Sequence, residues 1–235
     1  MDGRERLSGC LLVFIKSPEK GTVKSRMAEA IGEKQARELY RSFVLDLLET
    51  LDKTAEEGRY ALKLYFHPPE SGKAIAGWLG NKYDFRPQRG KDLGERMQNA
   101  FLEVFSEGFD PALLIGSDIP DLPEKMIADG FASLQNNGAV IGPSLDGGYY
   151  LIGFRSPAFL PEIFADIPWG TGGVFERTIE ILKRSHEGFS ILPAQRDMDT
   201  CADLKDLLER HRSSYFTNSR TMRYLLSQPW DGIQY

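Results

Sequence analysis

From Glu33 to about Glu57, the residues Ala36, Leu39, Tyr40, Phe43, Val44, Leu47, Leu48 and Leu51 recur at alternating steps of three and four, which places them on one stripe of a long helix. A stripe of that length has to be covered, and the neighbouring segments indicate by what. Before it, Cys10-Leu-Leu-Val-Phe-Ile15 is short, rich in β-formers and followed by Pro18 and Gly21, so it reads as a buried strand feeding a loop. After it, residues 60–66 and 83–87 read as strands, 74–79 and 93–105 as helices, 112–115 as a short buried strand, 124–135 as a helix and 139–141 as a strand. Strand and helix alternate. That rhythm predicts an α/β fold of three layers, with a mostly parallel sheet, right-handed crossovers and ligands bound where loops leave the carboxyl ends of the strands.

Farther along, helices are predicted over 157–164 and 173–183, a strand over 189–192, a helix opened by Thr200 with Asp203 three residues on, and a final helix over 216–227. No Pro/Ser-rich linker, low-complexity tract or repeat divides the chain. Residues 1–235 therefore read as one domain, with 213–235 as a C-terminal helical appendage.

A net charge of −5 opposes a general affinity for polyanions, so no nucleic-acid partner is expected, although a local cluster of cations can still hold a small anion. The two cysteines, Cys10 and Cys201, have no metal-type spacing and form no disulfide framework. The N-terminal segment MDGRERLSG lacks the apolar core of a signal peptide, and no apolar run approaches a membrane span. The expectation is a cytoplasmic protein.

Five loops carry candidate chemistry. Lys16-Ser-Pro-Glu-Lys-Gly-Thr-Val-Lys-Ser-Arg26 follows the first strand and gathers Lys16, Lys20, Lys24 and Arg26 around a turn at Gly21, an arrangement suited to phosphate. Gly116-Ser-Asp-Ile-Pro-Asp-Leu-Pro123 follows the strand 112–115 and projects Asp118 into the presumed cleft, where Mg²⁺ or Mn²⁺ finds the oxygen ligands it prefers. Ser117, beside it, is placed with the phosphate-binding residues. Asp121 fits either a site or a helix cap. Gly142-Pro-Ser-Leu-Asp-Gly-Gly-Tyr-Tyr150 combines Asp146 with Gly147 and Gly148, which suit a close approach to a ligand or a hairpin turn. Asp197-Met-Asp-Thr200 sets Asp197 and Asp199 on one side of an extended segment. Trp169-Gly-Thr-Gly-Gly173 reads as a ligand-facing loop, with Thr171 alternatively a helix cap. His67, His186 and His211 are scattered, so neither a histidine metal site nor a triad is expected.

Phe14-Ile-Lys-Ser-Pro, Gly21-Thr-Val-Lys-Ser-Arg, Gly94-Glu-Arg-Met, Gly116-Ser-Asp-Ile-Pro and Gly142-Pro-Ser-Leu-Asp-Gly-Gly-Tyr-Tyr together resemble a bacterial family of GT-A glycosyltransferases, some of whose members are named for arsenosugar biosynthesis. The same landmarks are similar, more distantly, to phospholactate and molybdenum-cofactor guanylyltransferases. The resemblance implies a nucleotide-diphospho-sugar transferase (GT-A, Rossmann-like) fold and a divalent metal flanked by Asp118 and by Asp199 or Asp197, with Lys16, Lys24 and Arg26 on phosphates.

Three functions follow from these readings. The first is metal-dependent glycosyl transfer from a nucleotide-sugar to a small-molecule acceptor, with Asp146 as candidate base and Gly147, Gly148, Tyr149, Trp169 and Thr171 as the sugar or acceptor loops. The second is nucleotidyl transfer, in which a sugar phosphate or phospho-acid attacks a nucleoside triphosphate (NTP) and pyrophosphate leaves. The third is a nucleotide-binding domain without catalysis.

Overall fold

The computed structural model describes residues 9–19, 23–58, 60–185 and 187–227. Lys20 and Gly21 of the basic loop, His186 and the end of the C-terminal segment lie outside the described residues. In chain order the elements are β1 (Cys10–Lys16), α1 (Ser25–Ile31), α2 (Glu33–Gly58), β2 (Ala61–His67), α3 (Gly72–Leu79), β3 (Asp84–Pro87), α4 (Leu93–Ser106), β4 (Ala112–Ile115), α5 (Glu124–Ser133), β5 (Ala139–Pro143), β6 (Tyr149–Phe154), α6 (Val174–Leu182), β7 (Phe189–Ile191), α7 (Cys201–Arg210) and α8 (Arg220–Ser227).

Among the described residues one sheet runs in the order β3-β2-β1-β4-β6-β5-β7. All neighbours pair in parallel except β6, which runs antiparallel to both β4 and β5. The fold is the α/β class predicted from the strand–helix rhythm, and β6 is the departure from parallel. A strand buried on both faces shows no alternation, and its direction is set by the connection before it. Here that connection is a short turn, too tight for a crossover.

Side-chain alternation along β1 divides the core. Leu11, Val13 and Ile15 face α2, α3 and α5, whereas Cys10 and Leu12 face α4 and α6. The stripe on α2 meets two partners: Tyr40, Val44, Leu47, Leu48 and Leu51 pack on the sheet, while Leu39 and Phe43 join Met27, Met198, Leu204, Leu207, Met222 and Leu225 in a third cluster. α8 is thus packed into the domain. Its first two backbone N–H groups, at Arg220 and Thr221, donate to the buried carboxylate of Asp46 on α2 at 2.9 and 2.8 Å, which caps the helix from another element.

The remaining differences are local. The segment 157–164 forms two 3₁₀ turns, Ser156–Ala158 and Pro161–Phe164, because Pro157 and Pro161 each start a turn and Phe159 and Leu160 are extended between them. The C-terminal helix likewise divides into a 3₁₀ turn, Tyr215–Asn218, and α8, with Ser219 extended at the junction. α1 was not resolved from the basic loop by its sequence pattern.

Asp121 belongs to the scaffold. Its buried carboxylate accepts from Arg210 Nη1 at 2.5 Å and faces His211 Nε2 at 2.8 Å, tying the loop after β4 to the end of α7. Asp121→Asn is expected to lower unfolding free energy by about 1–3 kcal/mol, since it removes the buried charge that Arg210 and His211 meet without opening the cleft. A urea midpoint that does not move would remove this role from Asp121.

Candidate active site

The carboxyl ends of β1 and β4, the turn between β5 and β6 and the segment before α7 converge on a cleft of 480 Å³. Lys16 ends β1, and its backbone N–H donates to Tyr40 Oη of α2 at 2.7 Å; the same hydroxyl lies 3.0 Å from Ser117 Oγ after β4. One tyrosine on the long helix therefore pins both loops. Ser117 is buried with its hydroxyl so engaged.

Lys24 is the N-cap of α1 in a left-handed conformation, φ 54°, which is uncommon for a residue with a Cβ. From there its ammonium reaches Asp118 Oδ1 at 2.6 Å and Asp199 Oδ1 at 2.9 Å. Asp199 arrives by strict alternation: Met198 between the two aspartates is fully buried in the third core cluster, so Asp197 and Asp199 turn the other way. Met198 N–H donates to Asp118 O at 2.9 Å, and Thr200 with Asp203 forms a reciprocal capping box at the start of α7. The extended segment is fixed at both ends.

Asp146, Asp197 and Asp199 each offer an oxygen to one place, the atoms lying within 4.8 Å of one another. Asp146 Oδ1 accepts from Gly148 N–H at 2.9 Å and from Ser144 Oγ. Burial, then the charges of Asp146 and Asp199, push the Asp197 carboxyl up to about 6. Burial also raises Asp199, but Lys24, with Arg26 and Lys16 behind it, more than offsets this and holds it below the usual carboxylate range. Burial would lower Lys24, and Asp118 and Asp199 outweigh it, so the ammonium is held charged. Three carboxylate oxygens at this spacing are a donor set for a hard divalent cation such as Mg²⁺ or Mn²⁺. The structure groups Asp146, read from sequence as a base, with Asp197 and Asp199. Asp118, read as a metal ligand, meets them through Lys24.

A smaller adjoining pocket of 240 Å³ is lined by Lys16, Lys24 and Arg26 together with Asp118 and Asp199. The opposite wall is aromatic: Trp169 packs edge-on against Tyr149 with centroids 6.3 Å apart, and Tyr149 Oη lies 3.8 Å from Met97 Sδ. Thr171 does not cap α6. Its hydroxyl donates to Pro168 O at 2.8 Å, and the N-cap is Gly173. His67, Gln88 and Arg96 also line the cleft, and none of them is among the candidate residues read from the sequence. For Arg96 a signal existed in the Gly94-Glu-Arg-Met motif; His67 and Gln88 simply stand at the ends of β2 and β3. A wider groove of 640 Å³ between α2 and residues 215–223 shares no lining residue with the cleft, and its Asp46 and Glu49 are paired with Arg220.

Residues 50–171 match the protein family described as "Uncharacterized protein conserved in bacteria (DUF2064)". No curated protein matches the chain. Among solved structures, the chain is 39% identical to a protein of Desulfovibrio desulfuricans G20 provisionally described as a nucleotide-diphospho-sugar transferase, covering 94% of each chain with a TM-score of 0.88. It is 12% identical to 4-diphosphocytidyl-2C-methyl-D-erythritol synthase from Anaerococcus prevotii DSM 20548, covering 87% of this chain and 97% of that one at a TM-score of 0.57. It is 9% identical to a CMP:2-keto-3-deoxy-manno-octonic acid synthetase in complex with CTP, covering 87% and 98% at a TM-score of 0.55. The last two likenesses concern the fold, which is that of nucleotide-diphospho-sugar transferases. No helix among the described residues is long and apolar enough to cross a membrane.

The burial of Asp197 beside two other carboxylates gives a stability prediction with a definite sign. Because the folded-state value of Asp197, about 6, lies above its ordinary value of 3.8, ionising it costs the folded state more than the unfolded one. That penalty is full above pH 6 and is relieved as pH falls through 6 toward 3.8. Asp197→Asn in chelator-treated protein is therefore expected to gain on the order of 1–2 kcal/mol at pH 8, after allowance for partial solvent screening, with the gain vanishing near pH 4. Urea unfolding at the two pH values checks this, and a pH-independent difference would refute it.

Proposed function

The chain belongs to the DUF2064 family of bacterial proteins, and from that premise we propose that it is a metal-dependent transferase acting on a nucleotide-sugar donor and a small-molecule acceptor. The observation that carries this is the division of the cleft: an acidic trio at Asp146, Asp197 and Asp199 beside a basic pocket of Lys16, Lys24 and Arg26. The trio fits Mg²⁺ or Mn²⁺ by the chemistry of its donors, and such an ion supplies charge neutralisation for a diphosphate. The other contributions come from the chain itself. Lys16 and Arg26 face the phosphates, where charge accumulates as the bond to the leaving group breaks. Gly147 and Gly148 let the backbone approach the transferred group, and Trp169 and Tyr149 give it an apolar wall that excludes water.

In this reading Asp146 serves the metal, since one of its oxygens is already held by Gly148 N–H and Ser144. A second reading gains from the same fact. In the empty cleft Asp118 and Asp199 are paired with Lys24, and Asp146 stands with Asp197 and Asp199 in the trio, so no carboxylate is set apart from the ion pairs and the acidic trio as a dedicated base for an acceptor hydroxyl. Nucleotidyl transfer needs no such base, because its attacking phosphate or carboxylate is already an anion.

The test is a panel of nucleotide-sugars and nucleoside triphosphates with Mn²⁺, Mg²⁺ or chelator. Metal-dependent release of nucleoside diphosphate supports glycosyl transfer, release of pyrophosphate supports the second reading, and metal-independent binding with neither product sinks both. Asp146→Asn is expected to weaken metal-dependent nucleotide binding by about 10–100-fold. Loss of turnover with unchanged affinity would return Asp146 to the role of base.

A further inference from the structure

Among the described residues, Lys24 is the cation that is ion-paired to the cleft carboxylates, and its side chain is 4% exposed where it bridges Asp118 and Asp199. Two of its three donors are spent there. The same ammonium lines the basic pocket with Lys16 and Arg26, which have no carboxylate partner among the described residues. These two placements compete. While Lys24 sits between carboxylates it has one donor left for a phosphate oxygen and its charge is already met, and while it holds Asp199 that carboxylate is shared between an ammonium and any cation at the trio.

Asp199 is common to the Lys24 bridge and the acidic trio, and a divalent cation at the trio brings twice the charge to it and accepts its lone pair directly, whereas an ammonium only donates a hydrogen bond. The lysine stem has four methylenes, so its head can leave without moving the backbone that carries it. Its next available partner is whatever anion occupies the adjoining pocket.

Resting on the reading of the cleft as a metal–nucleotide site, we propose that Lys24 is an internal counter-ion: it neutralises Asp118 and Asp199 in the empty cleft, a divalent cation displaces it from Asp199, and the ammonium so released then holds the diphosphate. No bond is made or broken in this exchange. It does make metal and diphosphate bind with positive cooperativity, and linkage requires each to tighten the other by the same factor.

The experiment titrates the full chain with Mn²⁺ alone, and then with inorganic pyrophosphate at saturating Mn²⁺, by calorimetry. Lys24→Met, shown to be folded by circular dichroism, is expected to bind Mn²⁺ alone about tenfold tighter than wild type and pyrophosphate more weakly. A folded variant that binds Mn²⁺ alone no tighter than wild type overturns the proposal. Absence of Mn²⁺ binding in both proteins removes it together with the metal reading, a result distinct from the first. A measurement on the wild type stands apart from the variant's folding. Amine acetylation followed by mass spectrometry should find Lys24 protected in chelator, reactive with Mn²⁺ and protected again when pyrophosphate is added. Equal reactivity of Lys24 in chelator and in Mn²⁺ overturns the proposal.

Discussion

Carboxylates repel one another, and Asp118, Asp146, Asp197 and Asp199 are nonetheless gathered at one end of the sheet. The surrounding structure can be understood as the means of holding them there. Lys24 neutralises two of them, and burial, with the charges of Asp146 and Asp199 after it, pushes the Asp197 carboxyl up. The backbone supports are made by groups that cannot easily yield: a buried methionine that sets the alternation of Asp197 and Asp199, a capping box after them, and a hydrogen bond from Met198 to Asp118 that locks two loops together. A site that is electrostatically unfavourable when empty is one that a cation can fill with gain, and rigid support keeps the carboxylates from relaxing apart before it arrives.

The scaffold itself was largely legible. The stripe on α2 is a local property of the chain, and the helix it predicts over 33–57 is the α2 observed, Glu33–Gly58. Its partition between sheet and C-terminal helices was not legible, because Leu39 and Phe43 lie on the same stripe as Tyr40 and Val44 and differ only in which element reaches them. The direction of β6 was likewise hidden, since a strand with its interior buried on both faces carries no polar side to orient it.

Within the cleft, the sequence marked loops but not their register. Residue types and positions after strands pointed to Asp118, Asp146, Asp197 and Asp199 singly, yet only the sheet order, which sets β6 between β4 and β5, brings the Asp146 turn to the segment before α7. Lys24 was readable as a phosphate ligand because basic loops after a first strand commonly are. Its pairing with two aspartates was not, for it depends on a left-handed residue at a helix N-terminus that no propensity favours for lysine. His67 and Gln88 escaped for a simpler reason: each is a lone polar residue at a strand end, with nothing in its neighbourhood to separate it from a surface position.

The two walls of the cleft are joined through glycine. Gly147 sits at φ +90°, and a Cβ there would lie 2.1 Å from Gly172 O, so the turn carrying Asp146 and the loop carrying Trp169 touch backbone to backbone. Phe175 N–H closes the contact by donating to Gly147 O at 2.9 Å. Trp169 in turn lies over the start of α4, where a Cβ on Gly94 would be 2.9 Å from the indole nitrogen. The Gly147–Gly172 link is backbone to backbone, and contacts this close transmit position with little slack. Placement of the apolar wall is therefore tied to placement of the acidic turn, so Gly147 and Gly172, read from the sequence as suiting a turn or a close approach to a ligand, bring two loops of the protein itself together and fix the distance between the acidic trio and the aromatic wall.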